Sequence, residues 1–496
     1  MKSTGRPGRH THGDHRWWAL AVIATAQLMV VLDATIVNIA LPSVQSELGL
    51  SDANRQWVIT AYALAFGGLL LFGGRISGSI GHRRAFVIGL TGFAVASVLG
   101  GAANGAALLF GARAAQGVFA ALLAPAALSL LTTTFVEARE RGRAFGVFAA
   151  VGAGGSAVGM VVGGLLTEHA DWRWCLYVNV PIAAVAMAGS VFLRGDAPQS
   201  GMGGLDIPGA ISSAAGLVAL VYAFTLAEGR GWGDRVVLLL LVGGAALLAL
   251  FALVESRTRH PLLPLRIVAH RVRGGTLLTI GLTQVAMFGF YLFMTYYMQG
   301  ILRYSPVQAG VVFLLTAAGI AVGATVVAES LLSKTTPRVL LVSGLVVTTA
   351  GMLILTRLTA ETDNVFLLYL LPAQLLIGLG LGCVMTPATG LATSQVSATE
   401  AGIASAAFNA AQQLGGALGT ALLNTVAASV AAAALVRHGG PVGRADSATV
   451  HGFSVALTVA AGVLIAAALI GWLVIDTDKT RPTTDLDGSE LKTLQN

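Results

Sequence analysis

The chain has 496 residues, of which 55% are hydrophobic and 11% are charged, and its formal net charge is +7. An ordinary soluble domain has about a quarter of its residues charged, so this composition excludes a soluble globular protein and indicates an integral membrane protein. The basic residues lie in short segments between apolar stretches, without the aromatic interleaving of a nucleic-acid-binding face, so no nucleic-acid partner is expected. Neither Cys175 nor Cys383 has the spacing of a metal or redox motif, and no metal or cofactor is expected.

The N-terminal segment is basic and leads into a long apolar run. Residues 1–16 form a predicted cytoplasmic basic tail, and the apolar stretch continues from Trp17 to Leu41. A secretory signal peptide begins in a similar way, but its apolar region is shorter and no series of further spans follows it. We therefore expect an uncleaved first transmembrane helix.

Fourteen apolar stretches are long enough to cross a bilayer, since a span needs about 20 mainly apolar residues. They are residues 17–41, 56–73, 85–103, 106–133, 144–166, 174–193, 207–227, 236–254, 274–298, 306–328, 339–355, 365–387, 404–431 and 450–475. Of the 30 Lys and Arg residues, 21 fall on the side of both termini, 8 on the other side, and Arg113 lies within a span. Because cytoplasmic loops carry the excess of basic residues, both termini are predicted to be cytoplasmic.

An internal repeat relates distant parts of the chain at an offset of about 260 residues. The matching positions are Pro125 with Pro387, Glu140 with Glu400, Gly142 with Gly402, and Gly154-Gly155 with Gly415-Gly416. This offset shifts the pattern by eight spans, which predicts two six-helix halves separated by two inserted helices. Parallel repeats of this kind belong to a transporter architecture with its substrate site between the halves. The predicted divisions are 1–16, 17–193, 194–260 for the inserted pair, 261–475, and a cytoplasmic tail at 476–496.

Asp33 and Arg113 are charged residues deep inside predicted spans. A carboxylate at the centre of a helix in a bilayer costs about 2.5–3.5 kcal/mol on insertion scales, so it should face a cavity or a partner. Both residues lie roughly 10–12 Å from the same predicted outer boundary at about 1.5 Å per residue, and Gln116 follows Arg113 on the same helix face at i+3. We predict that Asp33 and Arg113 face one central cavity. The alternatives are an interfacial or structurally paired acid at Asp33 and, at Arg113, an arginine that binds backbone carbonyls.

Such a pair suits proton coupling, because burial disfavours the charged form of a carboxylate while a nearby cation favours it. A substrate that competes for Asp33 would displace its proton, which is the basis of antiport. The sequence has no G-x-x-x-x-G-K-[ST] motif, and no nucleophile elbow or His/Cys/Glu cluster appears. An ATP-driven pump and an enzyme are therefore not expected.

The segment Leu32–Pro42, which reads Leu-Asp-Ala-Thr-Ile-Val-Asn-Ile-Ala-Leu-Pro, resembles the first-helix signature of the fourteen-helix drug:proton antiporters of the major facilitator superfamily. The likeness extends over nearly the whole chain. Arg113-Ala-Ala-Gln116-Gly117 is similar to the fourth-helix motif of that group. The resemblance implies that Asp33 and Arg113 take part in proton coupling.

Two further motifs support the resemblance. Residues 74–84 resemble the loop motif between helices two and three, and the predicted gating residues there are Gly74, Arg75, Gly81, Arg83 and Arg84. The fifth helix carries the antiporter motif glycines Gly146, Gly155, Gly159, Gly163 and Gly164, and residues 172–181 resemble the start of helix six. Gly78 replaces the acid usual in the loop motif, and Met160 replaces a proline of the helix-five motif.

Helix nine has Phe290, Phe293, Met294 and Tyr297 at i, i+3, i+4 and i+7, on one helix face. Aromatic and methionine side chains make adaptable apolar contacts with ligands, so these residues and Gln116 are the predicted substrate contacts. Packing against lipid or another helix explains the same stripe.

The sequence thus predicts a proton-driven exporter of lipophilic or singly cationic drugs, antibiotics or secondary metabolites. Its partners would be a small-molecule substrate, protons and the lipid bilayer of a bacterial plasma membrane, and it would function as a monomer. The alternatives are a dedicated transporter of one metabolite and, from another class, a channel or a membrane sensor.

Overall fold

The computed structural model describes residues 12–135, 137–193, 206–258, 261, 265–332, 334–360, 364–392, 398–438 and 443–475, and these contain helices and no strand. The predicted tail at 476–496 lies outside the described residues. Fourteen long helices follow one another: α1 His12–Leu48, α2 Trp57–Ile80, α3 His82–Gly101, α4 Ala106–Thr134, α5 Ala138–His169, α6 Trp174–Phe192, α7 Ile207–Arg230, α8 Arg235–Arg257, α9 Arg271–Ile301, α10 Pro306–Val327, α11 Pro337–Leu355, α12 Phe366–Ala392, α13 Ala398–His438 and α14 Gly443–Val474. Short helices at Asp52–Arg55, Leu265–Ala269 and Ala328–Leu332 lie between them.

Hydropathy and length suit these helices to a bilayer. Within the described residues, 13 helices are long and apolar enough to cross a membrane. The remaining one, α5, has 32 residues and is long enough to span a ~30 Å hydrocarbon core. The predicted all-helical membrane fold is therefore confirmed.

The helices alternate in direction, so their ends collect on two faces of the bundle. On the face where α1 ends and α2 begins, here called the α1–α2 face, Arg173 before α6 donates to Glu47 of α1 at 2.6 Å and to the Ala103 carbonyl after α3 at 3.2 Å. On the opposite face, here called the α2–α3 face, Arg16 near the start of α1 pairs with Glu140 of α5 at 3.2 Å. The hydrogen bond to Glu47 raises the pKa of the Arg173 guanidinium above its ordinary value, so this pair stays charged at physiological pH.

The glycines of α5 allow its backbone to pack directly against α1. A Cβ atom on Gly155 would lie 3.0 Å from Leu28, and one on Gly163 would lie 2.9 Å from the carbonyl oxygen of Ile36. The repeat-related α13 packs against α9 in the same way, with Gly415 against Gly281. The 260-residue repeat is thus accompanied by the same packing of the first helix against the fifth in each half.

Gly163→Ala should therefore destabilise the α1–α5 contact, since over-packing a tight interface costs about 1–3 kcal/mol. We expect a fall of several degrees in the thermal unfolding midpoint of the detergent-solubilised protein. Gly154→Ala is the matched control, because a Cβ atom on Gly154 of the same helix meets no atom within 4 Å. Equal midpoints for the two variants would contradict this account of the helix-five glycines.

The two halves contact each other through α5–α10 and α2–α13. A Cβ atom on Gly164 would lie 2.7 Å from the carbonyl oxygen of Pro306 on α10, and one on Gly67 of α2 would lie 2.8 Å from Gln413 of α13. The inserted helices α7 and α8 pack together, and α7 also reaches α2, where Gln56 donates to Thr225 at 3.0 Å. The residue boundaries proposed for the domains stay a prediction.

Several helices extend beyond the predicted spans, and the first two show the physical reason. The first span extends beyond Leu41 to Leu48, because its polar end is held by the contacts of Glu47 with Trp172 and Arg173. The second span was predicted to end at Gly73, but α2 continues to Ile80. The segment predicted as a loop is therefore mostly helical, and its turn is confined to Gly81.

Candidate functional site

Asp33 and Arg113 form a buried ion pair between α1 and α4. The Nη1 atom of Arg113 lies 2.6 Å from the Oδ2 atom of Asp33, and the two residues are 1% and 0% exposed. The sequence predicted that these charges lie at comparable depth, and the structure brings them into direct contact. A pair withdrawn from solvent in this way carries a large desolvation cost, so each partner depends on the other and on its hydrogen bonds.

Amide and hydroxyl groups complete the surroundings of Asp33. Its Oδ1 atom accepts hydrogen bonds from Gln116 at 3.0 Å and from Asn179 on α6 at 2.7 Å. Gln116 also donates to Ser97 on α3 at 2.8 Å, and its carbonyl oxygen accepts from Arg113 at 2.8 Å. The predicted substrate contact Gln116 is therefore part of the charge network around Asp33.

Arg113 is also held by groups outside the ion pair. Its Nε atom donates to the backbone carbonyl of Val58 at 2.8 Å, and its guanidinium lies over the Tyr62 ring, 4.6 Å from the ring centre. Arg113 thus binds a backbone carbonyl, which was the structural alternative, and also pairs with Asp33. Because these other contacts remain, Arg113 can stay in place when the charge on Asp33 changes.

The central cavity that the two charges are predicted to face stays a prediction, and the structure shows a small cavity beside Arg113 within the first half. Its volume is about 10 Å³, the size of a single water site, and its walls include Arg113, Val37, Val58 and Cys175. Asp33 itself is enclosed by its hydrogen-bond partners. A substrate could reach the pair only after the surrounding helices move apart.

The apolar stripe on α9 lies in the core of the second half. Phe290 packs edge-on against Phe313 of α10, with ring centres 6.0 Å apart, and Phe293 stacks on Phe453 of α14 at 5.2 Å. Met294 is buried, and the hydroxyl of Tyr297 donates to the carbonyl of Thr359 at 3.0 Å. These contacts agree with the helix-packing alternative, and a substrate-binding role for the four residues stays a prediction.

The loop motif forms a sharp turn at Gly81, whose φ of 93° favours glycine. Ser77 and His82 hydrogen-bond across it at 2.8 Å. Gly74 lies within α2, where an added Cβ atom would make an ordinary 3.6 Å contact with Pro125, so no turn requires glycine there.

The arginines of the loop motif occupy different positions. Arg75, on α2, donates to the carbonyl of Pro261 in the segment between α8 and α9. Arg83 and Arg84 occupy the first turn of α3, and their gating role stays a prediction.

Arg55, between α1 and α2, ties the two halves together at the α1–α2 face. Its guanidinium donates to Asn424 of α13 at 3.2 Å and lies 3.9 Å from the ring centre of Tyr296 on α9. Tyr296 in turn donates to Gln45 of α1 at 2.5 Å. Because these contacts cross from one half to the other, they must break before this face can open.

Arg55→Ala should make the α1–α2 face open more often. Cys175 is a native reporter, since it is 1% exposed and lines the small cavity beside Arg113. We expect a polar maleimide to label Cys175 about five-fold faster or more in the variant, because the loss of 1 kcal/mol or more shifts such an equilibrium by about that factor. Mass spectrometry locates the label, and Arg235→Ala, at an exposed arginine at the start of α8, is the control. Equal rates in the two variants would show that Arg55 does not hold this face closed.

A sequence profile described as Major Facilitator Superfamily matches residues 23–420. The chain belongs to the major facilitator superfamily. It is thus a multi-pass membrane protein and a transporter, which implies a small-molecule substrate and a lipid bilayer around it. The predicted resemblance to this superfamily is confirmed.

Relatives within the superfamily carry names of antibiotic resistance and export. The chain is 57% identical to the puromycin resistance protein pur8 of Streptomyces alboniger, over 93% of this chain and 92% of that protein. It is 38% identical to the cephamycin export protein CmcT of Amycolatopsis lactamdurans, over 86% and 88%. It is 34% identical to the tetracenomycin C resistance and export protein of Streptomyces glaucescens, over 83% and 76%.

A solved structure shares the fold. The bacterial homologue of the human lysosomal transporter Spinster, in an inward-facing and unoccupied conformation, superposes with a TM-score of 0.66 over 94% of this chain and 98% of that one. The sequence identity is 15%, so this likeness shows the fold alone.

Sequence reasoning did not predict the roles of Asn179 and Ser97 beside Asp33, or of Arg55 on the α1–α2 face. Asn179 was noted only as part of the start of helix six, although a buried amide in an apolar span is itself a signal for a polar partner. Arg55 lies outside the apolar stretches, where a basic residue is usually solvated. Among the described residues, no group of three His, Cys, Asp or Glu is placed to hold a metal.

Proposed function

We propose that this protein is a proton-driven exporter of lipophilic or singly cationic antibiotics, drugs or secondary metabolites across a bacterial plasma membrane. The observation that carries the proposal is the buried Asp33–Arg113 ion pair at the middle of the first half. The relatives named for puromycin, cephamycin and tetracenomycin C support the substrate class.

Asp33 is the best-placed proton carrier among the described acids. Three of these acids are buried, but Asp206 directly precedes α7 and Glu255 lies near the end of α8. Asp33 alone lies deep within a helix, where its ionised form relies on Arg113 and two amide donors. A proton on Asp33 removes the attraction to Arg113, whereas a cationic or polar substrate in the opened site favours the ionised form. The two therefore compete, and this competition couples their movements.

The distribution of basic residues supports an orientation with both termini in the cytoplasm and the α1–α2 face outside. In that orientation the contacts of Arg55 close the site toward the exterior. A membrane potential contributes about 2.3 kcal/mol per 100 mV for each proton that moves inward. Neither a cofactor nor catalytic chemistry is part of this proposal, and one chain contains both halves, so the proposed functional unit is a monomer.

The test is expression in an efflux-deficient bacterium, with growth measured across a compound panel that includes puromycin, cephamycin and tetracenomycin C. We expect resistance to at least one of these compounds and lower cellular accumulation that a protonophore reverses. Unchanged sensitivity to the whole panel at confirmed membrane expression would contradict the substrate class. Efflux that a protonophore leaves intact would contradict proton coupling.

A dedicated exporter of one metabolite is the second candidate, because each of the three relatives is named for a single compound. The same compound panel distinguishes a dedicated exporter from a multidrug exporter. Resistance to one compound and its close analogues favours the dedicated exporter, and resistance across unrelated scaffolds favours multidrug export.

A further inference from the structure

The side-chain amide of Asn179 donates hydrogen bonds through its nitrogen atom, whereas its oxygen atom has no hydrogen-bond partner. Its Nδ2 atom donates to Asp33 Oδ1 at 2.7 Å and makes a longer contact of 3.4 Å with Ser97. Its Oδ1 atom is buried and accepts no hydrogen bond, although the residue is 0% exposed. A buried acceptor that stays unsatisfied costs about 1–3 kcal/mol, so this arrangement needs a reason.

Gln116 and Arg113, the other side chains bonded to Asp33, already use their polar atoms in hydrogen bonds. Gln116 uses its nitrogen for Asp33 and Ser97, and its oxygen accepts from Arg113. Both Arg113 and the Gln116 amide nitrogen can only donate. When a proton binds Oδ1 of Asp33, the two groups that are bonded to this atom, Gln116 Nε2 and Asn179 Nδ2, are both donors and cannot accept the new O–H group.

We infer that Asn179 is a positioning residue for the proton step, and that its amide turns over when Asp33 takes up a proton. In the ionised state the Nδ2 atom donates to the carboxylate. In the neutral state a rotation of the amide by half a turn places the Asn179 Oδ1 atom where it accepts the new O–H group. The rotation replaces the N–H···O bond from Asn179 Nδ2 to Asp33 with an O–H···O bond to Asn179 Oδ1, and it gives up the long contact with Ser97.

The charged and titratable groups around Asp33 are consistent with this rotation of the Asn179 amide. Titratable groups that interact with Asp33 include Arg113 on α4, Tyr62 on α2 and Cys175 on α6. Tyr62 and Cys175 are neutral in their ordinary forms, and a guanidinium group does not lose its proton in a protein. Asn179 is the neighbour of Asp33 whose amide can follow the proposed change in its charge.

This inference rests on the proposed proton role of Asp33, and infrared difference spectroscopy separates the two. Acidification of the purified protein should produce the carbonyl stretching band of a neutral carboxylic acid, and Asp33→Asn should abolish it. Asn179→Leu should keep the band but shift it to higher frequency, because the acid's O–H group loses its acceptor. Asn179→Ala should give the same shift if the leucine variant does not fold. Ser97→Ala, which leaves the three donors to Asp33 in place, should leave the frequency unchanged.

The pH profile gives a second measurement. The ionised form of Asp33 loses a charge-assisted hydrogen bond in Asn179→Leu, while the neutral form loses a weaker one. We therefore expect the midpoint of the band's appearance to move to higher pH, by up to about one unit. An Asp33 band with the wild-type frequency and midpoint in both Asn179 variants would overturn the role of Asn179 alone. If the wild-type protein has no Asp33-dependent band, the proton role of Asp33 fails, and this inference fails with it.

Discussion

Asp33→Asn is expected to abolish uphill, proton-driven export while the protein still folds and binds substrate. Asparagine has nearly the same shape as aspartate but cannot take up or release a proton. Its carbonyl can accept from Arg113, and its amide nitrogen can donate to the Oδ1 atom of Asn179 once the Asn179 amide has rotated by half a turn. The fold around the site should therefore survive.

The measurement is transport, in proteoliposomes with an imposed pH gradient, of a compound to which the protein confers resistance in the compound panel. Wild-type protein should concentrate the compound against its gradient, and Asp33→Asn should carry out counterflow exchange alone. Asp446→Asn, at an exposed acid in the first turn of α14, is the control and should behave as wild type. Concentrative transport by Asp33→Asn at the wild-type rate would contradict the assignment.

Arg113→Leu is expected to cost about 3–5 kcal/mol of stability when Asp33 is ionised, because removal of one partner leaves an uncompensated buried charge. The cost should depend on pH. Without Arg113, Asp33 can escape the cost by taking up a proton, so the destabilisation is fully present at high pH and is relieved as the pH falls.

Thermal unfolding of the detergent-solubilised protein between pH 5 and about pH 8.5 checks this expectation. Arg113→Leu combined with Asp33→Asn should recover part of the loss at high pH, because the double variant buries no unpaired charge. Arg235→Leu, at an exposed position, should change little at any pH. A loss in Arg113→Leu that is independent of pH and of Asp33 would mean that the bond to Val58 and the Tyr62 contact, rather than the ion pair, account for the stability.

Much of the fold could be predicted because the bilayer imposes a simple rule. Spans of about 20 apolar residues stand out from polar connections, and a repeat with a nearly constant offset is visible without any structure. The same rule located Asp33 and Arg113, since a charge deep in a span needs a partner. Their depth along the two helices was enough to predict that they could meet.

The parts that could not be predicted depend on how each helix is rotated and on contacts between distant segments. Asn179 meets Asp33 across 146 residues, and no spacing rule relates α6 to α1. The stripe that contains Phe290 and Phe293 has a clear helical period, but the period does not say whether that face points to a cavity or to α10 and α14. Arg55 was missed because its importance comes from Asn424 and Tyr296, which lie in the other half.

The central claim is that substrate and proton compete for Asp33, and proton release on substrate binding tests it most directly. A compound to which the protein confers resistance in the panel would be added to purified protein in weakly buffered detergent solution over a series of pH values, and released protons would be followed with a pH indicator. The account predicts that wild-type protein releases up to about one proton for each molecule bound, and that Asp33→Asn binds the compound and releases none. Equal proton release by Asp33→Asn and wild type would contradict it.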